Sequence, residues 1–157
     1  MKTTADCRLY TFVDMAYLQG RDPGEVAQQL CDGGSDIIQL RAKTSPAGEV
    51  LRWAEKILPI TRKAGVLLVI NDHLEVARAV GAEICHLGQE DFFDAGHKNV
   101  SELSSPGSSL KIGLSTHAPE QAARAVSAGA DYVAIGPVYA TGTTPTARAV
   151  HQASTGC

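Results

Sequence analysis

Short apolar runs rich in β-branched residues alternate along this chain with stretches of helical character. The runs are Leu9–Val13, Ile37–Leu40, Val66–Ile70, Ile84–Leu87, Leu110–Leu114 and Tyr132–Ile135. None alternates strictly between polar and apolar, as expected of strands covered on both faces. Between them, Asp22-Pro23-Gly24-Glu25 offers an N-cap, a proline at the first helical position and an acid at the third. Ser45-Pro46 predicts a second helix start of the same kind. Leu74–Val80 and Ala118–Ala128 read as helices that stop at Gly81 and Gly129. Alternation of this kind predicts an α/β fold built on a parallel sheet.

A repeat sharpens that expectation. Gly34-Ser35-Asp36-Ile37-Ile38, Gly81-Ala82-Glu83-Ile84-Cys85 and Gly129-Ala130-Asp131-Tyr132-Val133 share one pattern: glycine, small, acidic, two apolar. The interval of about 48 residues holds two strands, so one strand–helix unit takes about 24. The glycine ends a helix and the acid stands at the mouth of the next strand. A regular wind of such units predicts a (β/α)8 TIM-barrel type fold. The open-sheet nucleotide fold is the alternative, but its glycine-rich turn is missing after the first strand, where Asp14-Met15-Ala16-Tyr17 follows. The count reaches six strands. Two more units need roughly 50 residues, and the segment after Tyr139 is short and polar. The expectation is an incomplete barrel of about six β/α units in a single domain over 1–157, with an irregular tail over 148–157. Two open sheet edges would be covered by self-association into a homo-oligomer.

Composition then removes whole classes of function. The 157 residues carry a formal net charge of −3, with 5% aromatic residues and no basic run. Neither a nucleic-acid nor an anionic-membrane partner fits that balance. The beginning of the chain has no apolar stretch of the secretory kind, and the aliphatic run Val66–Ile70 is far too short to span a bilayer. Cys7, Cys31, Cys85 and Cys157 form no CxxC pair and no zinc spacing. A cytoplasmic protein with reduced, core-buried thiols is expected.

In a barrel of this type the chemistry sits at the carboxyl ends of the strands. Those ends read Asp14; Gln39, Arg41 and Lys43; Asn71-Asp72; His86 and then Gln89-Glu90-Asp91; Ser115-Thr116-His117; and Gly136-Pro137 followed by Thr141-Gly142-Thr143-Thr144. Residues 39, 41 and 43 would share one side of an extended chain, offering an amide and two cations. A diphosphate needs such cations. It also calls for Mg²⁺, which takes one or two protein carboxylates; Asp72 and Asp91 can serve. The Thr-Gly-Thr loop can cradle a monophosphate. Plain structural readings stand beside these. The Gln39–Lys43 face can be merely solvated, and Asn71-Asp72 can cap the next helix. Asp91 can be a loop acid, Ser115 or Thr116 a helix cap, and 141–144 ordinary loop. His86, His97 and His117 lack any zinc spacing, and neither GxSxG nor a phosphate-binding P-loop occurs.

Taken together, Gln39-Leu40-Arg41-Ala42-Lys43, Ile70-Asn71-Asp72, His86-Leu87-Gly88-Gln89-Glu90-Asp91, Gly113-Leu114-Ser115-Thr116-His117 and 129–138 resemble, in order and near spacing, the thiamine phosphate synthase family. The resemblance covers residues 8 to about 147. It implies a transferase that couples hydroxymethylpyrimidine diphosphate to hydroxyethylthiazole phosphate and releases diphosphate. It implies that Gln39, Arg41, Lys43, Asn71 and Ser115 hold the pyrimidine diphosphate, with Arg41, Lys43 and Ser115 acting on the reaction. It implies Asp72 and Asp91 as Mg²⁺ ligands and Thr141, Gly142 and Thr143 on the thiazole phosphate. Thr144 stands where the family carries a lysine. Loss of one charge-assisted bond there costs roughly 1.5–3 kcal/mol, about ten- to a hundredfold in rate. A thiazole tautomerase-like enzyme, with His117 as acid or base, is the alternative on the same barrel. A non-catalytic remnant that binds phosphate compounds is the alternative outside catalysis, and Thr144 together with the polar tail points that way.

Overall fold

A computed structural model of the chain describes residues 3–103 and 107–137. They belong to two compact units, the first drawn from Met1–His86 and Ser109–Lys111, the second from Leu87–Ser108 and Ile112–Cys157. The element order is β1 (Tyr10–Asp14), α1 (Pro23–Asp32), β2 (Ile37–Arg41), α2 (Ala47–Ala64), β3 (Leu67–Asn71), α3 (Leu74–Val80), β4 (Ile84–Gly88), α4 (Gln89–Asp94), β5 (Lys111–Thr116), α5 (Pro119–Ser127) and β6 (Tyr132–Ile135). This is an α/β fold of TIM-barrel type, with six strands among the described residues.

In the first unit β1, β2, β3 and β4 pair in parallel in chain order. Ile38, Leu40, Leu68, Val69, Ile70 and Ile84 are fully buried in this sheet. The helices α1 and α2 pack on one another. Asp22 caps α1 as the sequence predicts, accepting a hydrogen bond of 3.0 Å from the Glu25 N–H. Its other oxygen pairs with Lys56 on α2, and the Lys56 ammonium is the main reason its carboxyl lies below the usual range. The second helix start differs from expectation. Pro46 is itself the N-cap of α2 and no side chain caps it; Ser45 lies in the preceding turn, its N–H donating to the Ala42 carbonyl at 3.1 Å.

In the second unit β5 and β6 pair in parallel, Gly113 opposite Tyr132. A Cβ at Gly113 would stand 2.2 Å from the Tyr132 ring, so the position holds only a glycine without displacement of that ring. Neither α4 nor the 3-10 turn Val100–Leu103 was expected from the sequence. Gln-Glu-Asp-Phe-Phe-Asp is too short and too polar to carry a helical period.

The repeat has a physical explanation. Its glycines sit at positive φ, 88° at Gly34, 71° at Gly81 and 81° at Gly129, where the chain leaves a helix. Its acids tie strand beginnings together. Asp36 accepts from the Arg8 and Leu9 N–H groups, Glu83 from Leu68 and Asp131 from Ile112, all within 2.8–3.0 Å. These carboxylates satisfy backbone donors at the amino ends of the strands, opposite the ends that carry the candidate chemistry.

Candidate active site

Strands β1, β2, β3 and β5 run beyond their apolar cores into the polar residues that follow. The ladder therefore fixes those residues in space. Asp14 lies opposite Arg41 in register, and Asn71 opposite His86. Leu40 lies opposite Ile70, so Arg41 and Asn71 follow at one level. Residues at one level of a parallel sheet point to one face. Asp14, Arg41, Asn71 and His86 thus form a row at the carboxyl end of the first unit, with Gln39 one layer below on the same face.

The row is organised by direct bonds. Arg41 Nη1 donates to Asp14 Oδ2 at 2.5 Å. Gln39, buried in the sheet, donates from Nε2 to the Tyr10 hydroxyl at 2.8 Å. Asn71, also buried, donates from Nδ2 to Asp72 Oδ2 at 2.6 Å. Asp72 has φ 63°, uncommon for a residue other than glycine. Its N–H donates to the His86 carbonyl at 2.9 Å, and the next N–H, of His73, returns to the Asn71 carbonyl at 2.8 Å. These bonds hold a strained turn that carries an exposed carboxylate out of the strand. Burial pushes the His86 imidazole down to about 4, so it is neutral at physiological pH and adds no charge to the row.

Several expectations change. Lys43 does not continue the face of Gln39 and Arg41. The strand ends at Arg41, and Lys43 stands exposed in the turn closed by Ser45. Asn71-Asp72 does not cap α3, whose N-cap is His73 without a side-chain bond. Ser115 and Thr116 do not cap α5, whose N-cap is Ala118. Of the three described cysteines only Cys85 is buried; Cys7 and Cys31 are half-buried. Burial, aided by Asp72 and Glu75, pushes the Cys85 thiol up to about 12, and such a thiol is inert.

In the second unit Asp91 is no loop acid but the third residue of α4. Its carboxylate folds over Gly88, where a Cβ would come within 2.6 Å of Oδ2. Ser115 is half-buried at the end of β5. Thr116 Oγ1 donates to the Ala134 carbonyl at 3.1 Å. His117 Nδ1 lies 2.6 Å from the Gly136 carbonyl, an acceptor, so Nδ1 carries the proton. Thr141, Gly142, Thr143 and Thr144 lie outside the described residues, as does the tail over 148–157.

The pairing of Arg41 with Asp14 was not read from the sequence. The available clue was that both residues close successive strands of the same predicted sheet.

Comparison with known proteins decides the family. A family model described as thiamine monophosphate synthase matches residues 9–155. The chain belongs to the thiamine monophosphate synthase family. Among curated relatives, the thiamine-phosphate synthase of Pelotomaculum thermopropionicum is 40% identical over 135 residues, covering 86% of this chain and 60% of that protein. That of Lawsonia intracellularis is 38% identical over 141 residues, covering 90% and 63%. The solved thiamine phosphate pyrophosphorylase from Pyrococcus furiosus superposes with a TM-score of 0.71 at 28% identity, covering 85% of this chain and 61% of that one. The chain therefore spans about three-fifths of the length of these family members. No helix among the described residues is long and apolar enough to cross a membrane.

Proposed function

We propose that this chain carries out, or forms the diphosphate-handling part of a protein that carries out, the coupling of hydroxymethylpyrimidine diphosphate to hydroxyethylthiazole phosphate. The observation that supports it best is the adjacent placement of Arg41, Asn71 and Asp72 at the ends of β2 and β3, in a chain that matches this family over residues 9–155.

The residues suit the reaction. The exocyclic carbon of the pyrimidine loses diphosphate, which departs with the electron pair of the broken C–O bond. The thiazole nitrogen then donates its lone pair to form the C–N bond. No protein nucleophile is needed. The developing charge on the leaving group is met by Arg41 and Lys43, and Ser115 adds a hydroxyl donor. Gln39 and Asn71 are neutral amides that orient the pyrimidine without attacking a cation. Thr141, Gly142 and Thr143 are assigned to the thiazole phosphate.

Asp72 and Asp91 are assigned to Mg²⁺. Both are exposed oxygen donors, the ligand chemistry this ion takes. Among the described residues no three His, Cys, Asp or Glu side chains cluster around one point. Substrate oxygens and water would complete the coordination, which suits an ion that arrives with a diphosphate. When bound, Mg²⁺ supplies charge neutralisation to the leaving group. Asp72→Ala is expected to raise the Mg²⁺ concentration needed for half-maximal diphosphate release by about tenfold or more. Unchanged turnover by that variant at low Mg²⁺ contradicts the assignment.

One observation favours the tautomerase-like alternative. The Gly136 carbonyl fixes the His117 tautomer and leaves Nε2 as a base. That reading predicts proton exchange on a thiazole carboxylate phosphate and no thiamine phosphate from the two coupling substrates.

A further inference from the structure

We propose that Asp14 is a positioning residue that aims the Arg41 guanidinium at the substrate diphosphate, an inference that rests on the reading above that Arg41 holds that group. Asp14 and Arg41 close neighbouring strands and stand opposite one another in register. Their side chains meet at 2.5 Å and are 27% (Arg41) and 16% (Asp14) exposed. That cover is enough to limit screening by water, and it still leaves the guanidinium open on one side.

The two oxygens of Asp14 do different work. Oδ2 accepts from Arg41, while Oδ1 accepts from the Ala16 N–H at 3.1 Å. The second bond is an Asx turn that fixes the carboxylate itself. The backbone repeats the link, since the Met15 N–H donates to the Arg41 carbonyl at 2.9 Å. Arginine has five N–H donors in a rigid fork, and the bond to Asp14 engages Nη1. A fork held at one corner presents its remaining edge in a set direction, as bidentate recognition of a phosphate requires.

Orientation and electrostatic field predict opposite signs. By field alone, removing an anion beside Arg41 tightens the binding of another anion. If orientation dominates, its removal weakens binding. Asp14→Asn separates the two, because the amide Oδ1 keeps the Asx turn while the partner of Arg41 is lost.

The experiment is calorimetric titration of the full chain with inorganic diphosphate in Mg²⁺ buffer, for wild type, Asp14→Asn, Arg41→Ala and the double variant. Thermal unfolding is followed in parallel. The expected result is binding about three- to tenfold weaker in Asp14→Asn at a melting temperature close to wild type. No further loss is expected when Asp14→Asn is added to Arg41→Ala, as coupled residues require. Equal or tighter binding by Asp14→Asn, with Arg41→Ala clearly weakened, overturns the positioning role and leaves the site reading standing. Unaltered binding by Arg41→Ala, or none by wild type, overturns the site reading and the positioning role with it. Should Asp14→Asn not fold, Asp14→Glu carries the test, since it keeps the charge and displaces it by one methylene. Weakened binding then supports orientation, and unchanged binding refutes it.

Discussion

His86 shows how a single residue can combine a place in the sheet with a cost at low pH. It lies in the row of Asp14, Arg41 and Asn71, and burial pushes its imidazole down to about 4. In the unfolded chain it titrates near the ordinary value of 6.5. The folded pKa is the lower one, so the stability associated with neutral His86 is complete above about pH 6.5. It is lost as the pH falls from there towards 4, by an amount on the order of 3 kcal/mol. Denaturant unfolding at pH 7.5 and 4.5 is expected to show that loss in wild type and a much smaller one in His86→Gln. Equal losses in both would show that other groups account for it.

Elements carry the next level of constraint. Gly113 and Tyr132 bring β5 and β6 together at a place with no room for a Cβ. Gly113→Ala is expected to cost about 1–3 kcal/mol through forced displacement of the ring, read as a fall of several degrees in melting temperature. An unchanged transition would mean the ring moves freely. The same elements show what a sequence can reveal. Strands β1 to β6 were legible because their apolar runs are local features. The polar residues at their carboxyl ends were legible in place, but where each strand stops was not: β2 ends at Arg41 and leaves Lys43 in a turn. The glycine of each repeat was readable as a helix stop, and its acid as a strand-mouth residue. That the acid binds backbone N–H groups of a neighbouring strand required the register. Candidate site residues were legible as types and positions. Their partners were not: Arg41 with Asp14 and Gln39 with Tyr10 join residues 27 and 29 positions apart. Lys43 was expected on the face of Gln39 and Arg41 because alternation was extended past the end of β2, which stops at Arg41.

At the scale of the whole molecule, six described strands, five of them followed by a helix, carry the polar ends to which the proposed diphosphate transfer is assigned. The row on β1 to β4 supplies one paired cation, one neutral amide and one neutral imidazole, with Asp72 beside it and Lys43 in the exposed turn after β2. Net charge of −3 means that attraction for a diphosphate must come from this local arrangement and not from the field of the molecule. The most direct test is incubation of the purified 157-residue chain with both substrates and Mg²⁺, with thiamine phosphate and diphosphate detected by mass spectrometry. Formation of the two in equal amounts, dependent on each substrate and abolished by a chelator, is the predicted result. Folded, soluble chain that yields neither product and does not bind inorganic diphosphate in the presence of Mg²⁺ would contradict the assigned reaction.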